Sequence, residues 1–315
     1  MRLTPSREFV LGSNPCSGSV IGFALASAVG LVLCKAMNAF RFMVVAICIV
    51  GSAVAAPLRV LTTFYPLQIA TLNVVGAAAG VTVTSLTPPV AGCLHDYQLT
   101  PADLARLTRA DVLIINGVGL EPFLEKVRGS VSRAKIIEAS AGLELLDGNP
   151  HVWVSPTLAA RQVENIGAGL ARLDPERAAM YRGNVAAYAA RLRTLAEHMR
   201  VGLQDLSARD IITFHEAFPY FAREFGFHVV AVMEREPGAE PSARELADTI
   251  ALVRQKQVRA LFVEPQYPAR SADVIARATG AKIAILDPVV SGPVAPDAYL
   301  RIMEKNLVEL RRVLR

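Results

Sequence analysis

From Arg59 onward, apolar runs of four or five residues alternate with stretches of helical periodicity, and no other feature of this 315-residue chain restricts its fold so strongly. A short continuous apolar run suits a strand buried on both faces, and parallel strands need a crossover, usually a helix, between them. The runs at 60–64, 82–86 and 112–116 are predicted strands, with helices at 104–109 and 122–127. The alternation returns later, with predicted strands at 210–214, 229–232, 260–263 and 282–286 and helices at 219–225, 243–256, 271–278 and from about residue 297. One hydrophobic core rarely grows much beyond about 250–300 residues. The pattern therefore predicts an α/β protein of two parallel-sheet lobes.

A different element separates the two series. Asp174-Pro175-Glu176 has the residues of a helix start: an N-cap acid, Pro at the first helical position and a second acid in the first turn. Tyr181, Val185, Tyr188, Leu192, Leu195, Met199, Leu203 and Leu206 then recur every three or four positions as one apolar stripe. The segment 175–206 is predicted to be a single helix of about 30 residues, about 45 Å long at 1.5 Å per residue, enough to reach across both lobes. The organisation expected is 1–56 as an N-terminal apolar segment, 57–174 as the first lobe, 175–206 as the linking helix and 207–315 as the second lobe.

The overall hydrophobic content of 52% is inflated by residues 1–56. Within them, Met37 opens a stretch laid out as a signal peptide, with Arg41 as the positive region, 42–50 as the apolar core and Ala53-Val54-Ala55 as the small-residue cleavage pattern. Export to the periplasm with cleavage near Ala55 is expected, because the core is well short of the roughly 20 residues that span a bilayer. Met37 is an alternative translation start, and Ile47 is too bulky to precede a lipidated Cys48. Of 33 basic and 28 acidic residues, Arg2, Arg7, Lys35, Arg41 and Glu8 precede Pro57, leaving 29 against 27. A near-neutral body without a Lys/Arg run argues against nucleic acid as a partner. Of four cysteines only Cys93 lies in the body, so no internal disulfide is possible there.

The chemistry lies with the histidines. His95, His151 and His215 fall where a loop follows a strand or precedes a helix, and ligands of open parallel sheets gather beyond the carboxyl ends of the strands. His215, Glu264 and Asp287 each follow a predicted strand and so share one crevice edge. With His95 and His151 from the first lobe, they compose a site of three imidazoles and a carboxylate, which suits tetrahedral Zn²⁺ and tolerates Mn²⁺ or Fe²⁺. Four protein ligands leave no position for an activated water, so the set points to carriage rather than catalysis. Glu264 is either a ligand or, preferably, the group that orients His215. His198 and His228 are expected to be structural, and Cys93 a small buried thiol. His215-Glu216-Ala217-Phe218-Pro219 begins like a zinc-protease motif but has Pro219 where the second His belongs, and Gly117-Val118-Gly119 lacks the third glycine of a dinucleotide fingerprint.

The runs GCLHDYQLTPADLARLTRADVLIINGVGLEPFLEKV (92–127), NPHVWVSP (149–156), ITFHEAFPYFAREFGF (212–227), EPSARELADTI (240–250) and LFVEPQYPARSADVIARATGAKIAILDPV (261–289) resemble the metal-binding solute-binding proteins of zinc and manganese ABC importers. The likeness extends over nearly the whole chain after Pro57. It implies two α/β lobes joined by one long rigid helix, with the metal between them. It also implies that His95, His151, His215 and Asp287 are the ligands, that the transported ion is Zn²⁺ with Mn²⁺ as the alternative, and that an ABC permease and its ATPase are the partners of a monomeric protein. A histidine at 215, where manganese members tend to have Glu, leans toward zinc. Cys93-Leu94 stands where many members have Asp-Pro, Ser155 replaces a common Asp, and the His-rich loop of many zinc members is missing. A manganese or iron binder or a metal-dependent adhesin of the same family would use the same site; a metallohydrolase would need an open position and a base.

Overall fold

Among the described residues, seven of the eight strands fall on predicted runs, Lys135–Glu138 being the exception, and all eight assemble into two separate four-stranded sheets. The structure, a computed structural model, describes residues 57–89, 94, 97–127, 134–233 and 241–315. The signal-peptide reading of 1–56, Cys93 and His95 lie outside the described residues. The first lobe contains β1 (Leu58–Thr62), α1 (Tyr65–Val75), β2 (Val81–Ser85), α2 (Pro101–Arg109), β3 (Val112–Ile115), α3 (Phe123–Lys126) and β4 (Lys135–Glu138). Two helices follow, α4 (Pro156–Leu173) and α5 (Ala178–Leu203). The second lobe contains β5 (Asp210–Thr213), α6 (Pro219–Phe225), β6 (His228–Val232), α7 (Ala243–Lys256), β7 (Ala260–Val263), α8 (Arg270–Thr279), β8 (Lys282–Ile285) and α9 (Ala298–Leu314).

All pairings are parallel, in the orders β2-β1-β3-β4 and β6-β5-β7-β8. The second lobe thus repeats the topology of the first. In each, strand order reverses between the first and third strands, and the loops leaving those two strands part to leave a crevice where ligands bind. For the second lobe those loops carry His215, second after β5, and Glu264, first after β7. For the first they begin with Thr63 and Asn116, and Glu121 bridges them: its Oε1 accepts from Thr63 Oγ1 and Asn116 N, both at 2.7 Å, and its Oε2 from Gly117 N at 3.0 Å.

The linking helix differs from expectation at both ends. Pro175–Arg177 form a 3₁₀ turn, and the α-helix proper is α5, 26 residues and about 39 Å long. Asp174 does not cap it. Its buried carboxylate instead takes the Arg177 guanidinium at 2.8 Å and the Tyr181 hydroxyl at 2.6 Å, stronger partners than a backbone amide. Arg177 also donates to Ala79 O, just before β2, while Arg209, just before β5, donates to Leu203 O. The helix therefore runs from the amino edge of one sheet to the amino edge of the other, and the carboxyl edges turn toward the middle. Its stripe is buried at Tyr181, Tyr188, Leu192, Leu195, Met199 and Leu203, and Leu206 just beyond its end is buried as well. It lies against α4, where Gly167 permits the approach: a Cβ there would stand 2.2 Å from Val185 Cγ2.

Alternating side chains of the second sheet serve two cores. Ile211, Phe262 and Ala284 join the large core shared with α5, α9 and the first lobe, whereas Ile212, Leu261 and Val263 pack with Val253, Ala272 and Ile275 of α7 and α8. Among the described residues no helix is long and apolar enough to cross a membrane.

Candidate metal site between the lobes

The carboxyl edges meet through a set of hydrogen bonds that cross from lobe to lobe. Trp153 Nε1 donates to Pro288 O at 2.8 Å, Tyr299 OH to Trp153 O at 2.8 Å, Tyr220 OH to Asn149 O at 2.6 Å and Asn149 Nδ2 to Glu216 O at 2.8 Å. Ser155 Oγ, the N-cap of α4, and Thr157 Oγ1 both bond Glu224 on α6. This is the use the chain makes of Ser155. The loop after β8, which carries Asp287, is also fastened to the first lobe, by Tyr65 OH to Pro293 O, Asn73 Nδ2 to Pro296 O and Gly292 N to Pro89 O.

Inside this seam lie the predicted residues. His215 follows β5 and is 1% exposed; its Nδ1 bonds the buried Glu264 carboxylate. A carboxylate only accepts, so Nδ1 carries the hydrogen, and in the neutral imidazole Nε2 presents its lone pair. That Nε2 is buried and has no hydrogen-bond partner. Buried polar nitrogens are almost always satisfied, and one left bare beside a carboxylate-oriented imidazole is the arrangement a metal ion completes. Gln266 Nε2 donates to the other Glu264 oxygen at 2.7 Å, which holds the carboxylate in place.

His151, 2% exposed, projects from the other wall, and its ring centroid is 5.2 Å from that of His215. It rests at a tilt on Trp153, 5.1 Å away, which itself meets Phe64 edge-on at 4.8 Å. Asp287 follows β8; Val289 N donates to its Oδ1 at 2.7 Å, and Asn306 of α9 pins its main chain through Asp287 N and Asp287 O, each at 2.8 Å. Burial pushes the Asp287 carboxyl up to about 6, with the negative charge of Glu264 adding to the rise and the Val289 amide opposing it.

The structure thus brings together His151, His215 and Glu264, with Asp287 within their electrostatic reach. Among the described residues no three His, Cys, Asp or Glu groups already stand close enough to hold an ion, and His95 lies outside them. His198 and His228 are elsewhere and exposed, beside Glu304 and Asp210 respectively. Sequence reasoning passed over Asn149, Gln266 and Asn306, the polar groups that fix the site residues. Two of them stand two positions from a predicted site residue, a spacing at which a side chain can turn back onto its neighbour.

Comparisons with known proteins agree with the two-lobed fold and give the family. The family model described as "Zinc-uptake complex component A periplasmic" matches residues 60–313. The high-affinity zinc uptake system protein ZnuA of Bacillus subtilis (strain 168) is 30% identical over 280 residues, covering 81% of this chain and 86% of that protein. The zinc-binding lipoprotein AdcA of Streptococcus pneumoniae (strain ATCC BAA-255 / R6) is 28% identical over 282 residues and longer, so the match covers 81% of this chain but 55% of AdcA. Among solved structures, the solute-binding protein FpvC from Pseudomonas aeruginosa in complex with Mn²⁺ superposes with a TM-score of 0.74 at 32% identity, covering 82% of this chain and 98% of that one.

Proposed function

Because the chain belongs to the family described as "Zinc-uptake complex component A periplasmic", we propose that it captures Zn²⁺ and hands it to the membrane permease of an ATP-driven importer. It is a substrate-binding protein, not an enzyme, and the metal is its cargo. We assign His95, His151, His215 and Asp287 as the ligands, with Glu264 as the carboxylate that orients His215. Export with cleavage near Ala55, a monomeric state and the absence of any nucleic-acid role complete the reading.

The single observation that carries the ligand assignment is the bare, buried Nε2 of His215, faced across 5.2 Å by the His151 ring. Zinc is favoured over manganese because imidazole nitrogens make up three of four proposed donors, and nitrogen suits Zn²⁺ where oxygen suits Mn²⁺. The test is calorimetric titration of the metal-stripped protein with Zn²⁺ and with Mn²⁺. One tight Zn²⁺ equivalent and much weaker Mn²⁺ is the expected result. Equal or tighter Mn²⁺ would make manganese the cargo, and no binding would overturn the site.

A further inference from the structure

Asn149 touches both walls of the seam, and its side-chain amide has only one consistent orientation. Its Oδ1 lies 2.9 Å from His151 N, a group that can only donate, and its Nδ2 lies 2.8 Å from Glu216 O, a group that can only accept. With Oδ1 so identified, the His151 Nδ1 at 2.9 Å from the same oxygen must be the donor. The His151 ring is thereby fixed as the Nδ1–H tautomer with Nε2 as its coordinating nitrogen.

The chain builds this placement locally. Asp147 and Gly148 have φ of 50° and 72°, and Asn149 N bonds Leu146 O at 2.8 Å. Two consecutive left-handed residues closed by that bond are the turn that Asp-Gly favours. Pro150 then restricts Asn149 to extended backbone, which turns its side chain back onto His151. The backbone of Asn149 is anchored separately, since its carbonyl accepts from Tyr220 OH.

We propose that Asn149 is a positioning residue for metal capture: it sets which nitrogen of His151 coordinates, and it couples that ligand to the backbone immediately after His215 on the opposite lobe. This rests on the zinc-binding reading above. Oriented partners of metal-bound histidines are worth about 10–100-fold in affinity.

The test uses Asn149→Ala and Asn149→Asp, with two readouts. In the metal-free protein, nitrogen NMR of the His151 ring reports the tautomer; wild type and Asn149→Asp are expected to show Nδ1–H, and Asn149→Ala a mixture. In zinc titration, Asn149→Ala is expected to bind about 10–100-fold more weakly, and Asn149→Asp, which keeps the acceptor, to recover most of that loss. Asn149→Asp loses the donor to Glu216 O, so it is expected to release zinc faster than wild type. Unchanged tautomer and affinity in Asn149→Ala would overturn the proposal, as would an Asn149→Asp variant impaired as severely as Asn149→Ala. Wild-type release from Asn149→Asp would remove the coupling across the seam. Wild type failing to bind zinc would overturn the functional reading instead, while the tautomer of the metal-free protein would still judge the role of Asn149.

Discussion

Replacing Glu264 with Ala isolates the group that orients His215. The carboxylate is buried, accepts from His215 Nδ1 and from Gln266 Nε2, and its removal leaves the imidazole donor with nothing to face. Two routes give the magnitude. A hydrogen bond to a charged group contributes about 1.5–3 kcal/mol, and loss of a histidine's orienting carboxylate weakens metal binding about 10–100-fold, or about 1.4–2.7 kcal/mol. They agree, so Glu264→Ala should raise the Zn²⁺ dissociation constant by one to two orders of magnitude. Glu264→Gln should be milder. Its oxygen still accepts from His215, and Gln266, whose own Oε1 is buried without a partner, can turn its amide over to receive the new NH₂. The assay is zinc titration of the metal-stripped variants, with thermal unfolding at a fixed zinc excess as a second measure, because stabilisation by ligand falls in step with affinity. Wild-type affinity in Glu264→Ala would refute the orienting role. A loss far beyond 100-fold would show that Glu264 itself coordinates the ion.

Other perturbations probe the frame around the site. Tyr299→Phe removes the hydroxyl donating to Trp153 O and orphans a buried carbonyl, so urea unfolding should show a loss of about 1–3 kcal/mol; an unchanged midpoint would mean the seam does not need this bond. Gly167→Val drives a branched side chain into Val185 and should cost about 1–3 kcal/mol by overpacking, again read by urea unfolding. Burial holds the Glu121 carboxyl up to about 7, against the hydrogen bonds of Thr63, Asn116 and Gly117 that oppose the rise, so the folded protein retains a proton that the unfolded chain releases above 4.5. Stability from this group is therefore full below pH 4.5 and declines as pH rises to 7, by up to about 3 kcal/mol. Glu121→Gln should flatten that slope in unfolding measurements at pH 5 and pH 7, and an identical slope would place the titration elsewhere.

Periodicity exposed most strands and the helix that links the lobes, and it exposed them where packing is one-sided or uniformly apolar. It did not expose α1, whose Tyr65, Leu67, Gln68, Ile69, Thr71, Val74 and Val75 are all buried, because a helix enclosed on several sides has no amphipathic stripe to read. Nor did it expose α4, where Gly167 and Gly169 lower helix propensity in exchange for close contact with Val185 and Ile137. The edge strand β4 escaped notice because it is four residues long with Ile136 half exposed. At the site, His151, His215, Glu264 and Asp287 were legible as polar residues beside predicted strands or loops. The part played by Asn149 was not, because one of its partners is the backbone carbonyl of Glu216, 67 positions away, and no side-chain pattern records a carbonyl.

How such a site lets its ion go follows from how the seam is bonded. By chain order Asp287 belongs to the second lobe, yet its loop is tied to the first through Pro288, Pro293 and Pro296, which accept from Trp153, Tyr65 and Asn73. Swinging the lobes apart would break those three bonds together with the two made by Tyr299 and Tyr220, besides those of Asn149, Ser155, Thr157 and Gly292. At about 1 kcal/mol net for each, the first five alone cost about 5 kcal/mol, which confines a wide-open form to less than about one molecule in a thousand. A hinge is therefore a poor route for exchange. His215 is in a different position: its anchor is Glu264, outside the bonded loop, and its β5–α6 segment is held from the first lobe by Asn149 on Glu216 and Tyr220 on Asn149. On the proposed ligand set, freeing that short segment would withdraw His215 while the seam that carries His151 and Asp287 stays shut, so the expected exchange route is a local displacement of the His215 loop rather than separation of the lobes.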